Sequence, residues 1–172
     1  MSRRGLTACL LAVVLSGCAG RGAPPVVLGP DDTVKAAQQL LTDRCLARQG
    51  LVPPRPGAAA PPPEQAGRVV GALFGTGRAE LSLTLPGGQV IRQHSDGCLA
   101  AAQRRLYGDQ KRWFLVSTRV NNLRSAAPAA DRAEHRRLRE RALERSRALL
   151  AASGAGAEAR AAARTEAAQA HA

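Results

Sequence analysis

A chain of 172 residues has room for one domain of ordinary size plus extensions. Hydrophobic residues make up 45% of it but aromatic ones only 2%, and much of the rest is alanine, so a large core is excluded and a small, marginal one is expected. The formal charge of +12 is nearly all arginine, with Lys35 and Lys111 the only lysines; it favours anionic partners, but no aromatics are interleaved as stacking platforms, so nucleic acid is not an expected partner.

The chain opens with Arg3 and Arg4, then a short apolar run from Leu6 to Leu15, then Leu15-Ser16-Gly17-Cys18. The run is too short to span a bilayer and has the length of a secretory h-region. Small residues ahead of a cysteine here resemble the lipobox of bacterial lipoproteins. The resemblance implies a signal peptide over 1–17, cleavage after Gly17 and lipidation of Cys18. Two or three acyl chains at that residue would anchor the protein stably at the cell membrane, on its extracytoplasmic face. Ser2 to Leu6 also partly resembles a twin-arginine signal, so both export routes stay open. Processing would remove Arg3 and Arg4 and no acid, leaving +10. Residues 18–30 are rich in Gly, Pro and Ala and read as a flexible tether.

A small α+β domain is expected over 31–127, mostly α with a small β-hairpin. Asp31-Asp32-Thr33 supplies N-cap candidates, and Val34, Ala37, Leu41 and Cys45 recur at helical steps up to Gly50, predicting a helix over Thr33–Gln49. Residues 53–63 form a Pro-rich surface loop. Gln65 to Phe74 is ambiguous between short helix and buried strand, with the helix preferred. Ala79 to Leu85 alternates apolar and polar, Pro86-Gly87-Gly88 is a turn, and Gln89 to Gln93 is β-prone: a hairpin with one wet face. Two strands alone are unstable, so the apolar face must lie on helices.

The next stretch organises the fold. Ser95 or Asp96 is expected to cap a helix whose Cys98, Ala102 and Leu106 share one face, while Arg104 and Arg105 point outward and Gly108 ends it. Asp109 then caps another helix, with Trp113, Val116, Val120 and Leu123 as its core stripe. Asn121, Asn122 and Pro128 are expected to end it. Residues 128–172 read as an Arg/Ala-rich helical extension, with a long helix over Asp131–Ser153, Asp131 as its cap and Gly154 as its stop. Arg137, Arg141 and Arg145 stack at four-residue steps there. Such a like-charge row is unfavourable in isolation and suggests an anionic lipid or cell-wall polymer as its partner.

Of the four cysteines, Cys9 leaves with the signal peptide and Cys18 is taken by lipid. Cys45 and Cys98 remain in an oxidising setting, on predicted apolar faces, and a disulfide between them is the simplest reading. The sharper alternative is chemical: Ser95-Asp96-Gly97-Cys98 superficially resembles the nucleophile motif of L,D-transpeptidases, which are cysteine enzymes of the cell wall. The chain departs by lacking the histidine before Gly-Cys and the arginine after it, so no enzyme activity is expected. His94, His135 and His171 are scattered, and neither a metal nor another cofactor is expected.

Arg44-Cys45-Leu46-Ala47-Arg48-Gln49-Gly50-Leu51, with Asp96-Gly97-Cys98, Leu106-Tyr107-Gly108-Asp109 and Trp113, resembles segments of uncharacterised actinobacterial lipoproteins over about residues 15 to 114. The resemblance implies an exported lipoprotein with a helix-to-helix disulfide and carries no activity with it. The expected role is therefore non-catalytic, structural or binding, in the envelope, with an unidentified protein partner.

Overall fold

The computed structural model describes residues 28–53, 55, 57, 59 and 61–170. The expected signal peptide, the lipidation residue Cys18 and most of the tether lie outside the described residues. The fold is mostly helical with one hairpin: α1 (Pro30–Arg48), α2 (Pro63–Phe74), β1 (Leu81–Thr84), β2 (Val90–Gln93), α3 (Cys98–Tyr107), α4 (Gln110–Leu123), a 3₁₀ turn (Arg124–Ala126) and α5 (Ala129–Ala170). Among the described residues no helix is long and apolar enough to cross a membrane.

Helix α1 starts earlier than the acidic cap candidates suggest. Pro30 occupies the first turn, where its fixed φ suits a helix and its missing N–H costs nothing, and Gly29 is the N-cap. Thr33 sits inside the helix and donates its hydroxyl to the Gly29 carbonyl at 2.8 Å. The ambiguous segment before the hairpin is helical, as preferred. The hairpin is antiparallel with Leu83 opposite Ile91, and Leu81 and Leu85 are buried.

Helix α3 corrects the capping expectation. Its N-cap is Gly97 and no side chain caps it. The Asp96 carboxylate is turned instead to the segment after α2, accepting from the backbone N–H of Gly77 at 2.8 Å and Thr76 at 3.2 Å. Ser95 donates to the Glu80 carboxylate. A side chain at Gly97 would meet the Leu73 carbonyl oxygen at 2.5 Å, so only glycine lets the end of α2 close onto the start of α3. At the other end Gly108 adopts φ 93°, a left-handed conformation that glycine accepts without strain. Asp109 caps α4 as expected, accepting from the Arg112 N–H at 3.0 Å.

Helix α4 buries Val116 of its predicted stripe, but its covered sector is shifted from the rest. Gln110, Phe114, Val116 and Ser117 are buried, whereas Trp113, Val120 and Leu123 are half-buried. The helix touches α5, α3 and β1, and these neighbours set the covered arc. Ser117 tolerates burial because its hydroxyl donates to the Phe114 carbonyl at 3.4 Å. Asn121 and Asn122 lie within α4 rather than ending it.

Helix α5 runs well past its predicted stop. Gly154 does not interrupt it: one interior glycine costs about 1 kcal/mol relative to alanine, and the alanine-rich sequence on either side offsets that. Asp131 lies in its first turn and pairs with Arg119 at 3.4 Å rather than serving as the cap. Residues expected as an extension supply Leu138 and Ala142 to the core, both essentially inaccessible.

Two apolar clusters hold the helices together. In the first, Ala37, Leu106, Tyr107, Leu138 and Ala142 bring α1, α3 and α5 together, with Trp113 packed alongside. In the second, Leu46, Leu51, Val69 and Cys98 join the end of α1 to α2 and the start of α3. Asp31 pairs with Arg139 and Arg44 donates to Ser153 at 2.9 Å, so α1 and α5 run in the same direction. Helix α3 runs against α1, its start at Cys45 and its end beside Ala37.

Candidate functional site

Cys45 and Cys98 are joined, with a Cα–Cα separation of 5.7 Å, inside the second cluster. Cys98 is 1% exposed. The Gln49 side-chain amide lies over the bridge, 3.3 Å from the Cys98 sulfur. A cysteine nucleophile acts as a thiolate, and Cys98 in the bridge has no thiol to ionise. Close by, backbone N–H groups, led by that of Gly77, keep the Asp96 carboxyl below the usual carboxylate range. Asp96 thus ties the loop between α2 and β1 to the start of α3, a positioning role that the sequence reading missed.

Beside the first cluster three rings are layered. Tyr107 and Trp113 stack with centroids 3.6 Å apart, and His135 lies 5.4 Å from Trp113 on a nearly parallel plane. Burial pushes the Tyr107 hydroxyl up and the His135 imidazole down; nearby Arg139 adds to the latter. Among the described residues no group of three His, Cys, Asp or Glu side chains is placed to hold a metal.

The expected arginine row on α5 is divided by the fold. Arg137 is neutralised by Glu134 at 2.5 Å, and Arg112 reaches the other oxygen of the same carboxylate at 2.6 Å. Arg141 and Arg145 lean over the end of α3. A side chain at Gly108 would lie 3.4 Å from Arg145 Nη1 and 3.6 Å from Arg141 Nη1. Arg145 donates to the carbonyls of Arg105 at 3.2 Å and Leu106 at 3.3 Å. These carbonyls lack helical partners, and the negative end of the α3 dipole favours a cation there, so Arg145 acts as a C-cap.

The row meets a second pair of arginines that the sequence placed only as outward-facing. Arg104, Arg105 and Arg145 surround a groove of about 560 Å³ between α3 and α5, floored by Leu106, Ala148 and Leu149. Arg104 is partly engaged, donating to the Ser95 carbonyl at 2.7 Å and the Gln110 side chain at 3.0 Å. Among the described residues, no carboxylate pairs with Arg104, Arg105, Arg141 or Arg145. Other cavities differ in character. That near the disulfide is lined by Glu64 and Asp96 as well as Arg68, and those beside α1 contain the Asp31–Arg139 pair. The signal that could have linked Arg104 and Arg105 to Arg145 is Gly108, whose position at the α3 stop admits a long side chain from another helix.

No protein-family model matches the chain, and no curated protein or solved structure matches it.

Proposed function

We propose that this protein is an exported bacterial lipoprotein, anchored at the extracytoplasmic face of the cell membrane through Cys18, whose small domain has a non-catalytic binding or structural role in the envelope. The observation that carries this reading is the Cys45–Cys98 bridge within the second apolar cluster. Such bridges persist in oxidising compartments and are rare in the cytosol. Together with Leu15-Ser16-Gly17-Cys18 and the arginine-led apolar run before it, the bridge supports export followed by lipidation. The small core supports the same reading, because a domain with little aromatic surface gains most from a covalent link.

The test is metabolic labelling with a fatty acid in a bacterial host, followed by membrane fractionation. The full chain should take up label and sediment with membranes; Cys18→Ala should lose the label and appear in soluble or unprocessed form. Alkylation without reductant should leave Cys45 and Cys98 unmodified. Label retained in Cys18→Ala, or free thiols at Cys45 and Cys98 in the exported protein, would overturn the reading.

A further inference from the structure

We propose that the groove between α3 and α5 is a binding site for a single anionic phospholipid, its phosphate held by Arg104, Arg105 and Arg145 and one acyl chain lying on Ala148, Leu149 and Ala152. This goes beyond the lipid anchor, because it concerns a lipid that is not attached to the chain and a site in the folded domain.

Three features of the groove carry the proposal. The first is charge without compensation. Six ion pairs tie down basic side chains elsewhere on the described surface, whereas Arg104, Arg105, Arg141 and Arg145 stand grouped around one groove with no carboxylate partner among the described residues. Bringing Arg141 and Arg145 together over Gly108 costs repulsion, which a bound anion would relieve. The second is donor geometry. A guanidinium presents its donors in a fork that matches phosphate oxygens. Both hydrogen bonds of Arg145 run through Nη1, and Arg105 has no side-chain hydrogen bond among the described residues. The third is the floor. Leu149 is half-buried and Ala148 is exposed, so the arginines border an apolar strip rather than a polar one. A free phosphate or a hydrophilic polymer would use the rim and leave the strip wet; a phospholipid covers both.

The arrangement also makes sense of the exposed arginine stems. Arginine lays its methylenes along apolar surface while its head stays at the polar boundary. At a bilayer surface this places the guanidiniums at the level of the lipid phosphates, where each basic residue contributes measurably to attraction.

The experiment is photo-crosslinking of the full chain on vesicles that contain phosphatidylglycerol or phosphatidylcholine bearing a photoactivatable acyl chain, with labelled peptides mapped by mass spectrometry. Labelling is normalised to the protein bound on each kind of vesicle, so the comparison reads the groove whether or not Cys18 carries lipid. The phosphatidylglycerol probe should label the segment around Ala148–Ala152, and the phosphatidylcholine probe should label it about tenfold less. Arg104→Gln with Arg105→Gln should lower this labelling by about tenfold or more, on the scale expected for two arginines at an anionic surface. Arg136→Gln with Arg147→Gln removes the same charge elsewhere and should change it less than about twofold. Ala148→Trp fills the floor at unchanged charge and should abolish it, with the helical circular dichroism retained. Excess inorganic phosphate should fail to displace the lipid. Equal loss in the two double variants, labelling that ignores the head group, labelling confined to residues before Pro30, or full labelling in Ala148→Trp would each overturn the groove. None of these outcomes alters the fatty-acid result at Cys18, so the two readings stand or fall separately.

Discussion

Breaking the Cys45–Cys98 bridge should destabilise this protein more than removing any other single contact. The bridge spans 53 residues of chain. On the chain-entropy model, closing a loop of that length removes about 14 cal/mol/K from the unfolded ensemble, or about 4 kcal/mol at room temperature. That is a large share of the 5–15 kcal/mol typical of whole domains. The clusters on either side offer little reserve, since that around the bridge is built from Leu46, Leu51 and Val69 without a buried aromatic. The measurement is urea unfolding followed by far-UV circular dichroism, oxidised against reduced. Reduction is the cleaner perturbation because it keeps both sulfurs in place, whereas Cys→Ala at the buried Cys98 also leaves a void. With a slope of about 1.5 kcal/mol/M, the midpoint should fall by about 2.5 M. The slope itself should rise, because the reduced unfolded chain exposes more surface. A shift worth less than about 1 kcal/mol would refute the reasoning, and would mean that the clusters hold α1 to α3 unaided.

Four further outcomes follow from individual side chains. Gly97→Ala should cost about 1–3 kcal/mol in the same assay, because its new methyl would press on the backbone of Leu73 and Phe74. Ser146 is fully buried on α5 and its hydroxyl has no hydrogen-bond partner, so Ser146→Ala should stabilise by about 1 kcal/mol and raise the thermal midpoint by a few degrees. Gly154 lies in helix with open space around it, so Gly154→Ala should add about 1 kcal/mol to α5, read as increased helicity and slower amide exchange nearby. His135 has its pKa lowered in the fold, chiefly by burial, so the unfolded chain binds more protons as the pH drops below 6.5. Stability should therefore be fully present above pH 6.5 and decline below it until the folded-state pKa is passed. His135→Phe, which keeps a ring beside Trp113, should flatten that part of the profile; an unchanged slope would remove His135 as its source.

Local sequence determined most of the elements of this protein. The three- and four-residue spacing of Val34, Ala37, Leu41 and Cys45, the strict alternation from Leu81 to Leu85, and the Gly108-Asp109 boundary are chemical signals acting within one turn or one strand, and the helices and hairpin form where those signals lie. The cysteine pair was legible for a different reason: elimination left two partners on predicted apolar faces, and they are bonded. What only the tertiary structure decided is the assignment of faces and ends. Gln110, Phe114 and Ser117 joined Val116 in the covered arc of α4, leaving Trp113, Val120 and Leu123 half-buried, because α5, α3 and β1 determine which arc is covered. Asp96 left its capping role because Gly97 brings the end of α2 within reach of its carboxylate. The arginine groove was invisible along the chain because Arg104 and Arg105 are some forty residues from Arg145, and a four-residue row on α5 cannot show what packs across it. Sequence reports the periodicity of each helix; the crossing of two helices decides which charges meet, and over which floor.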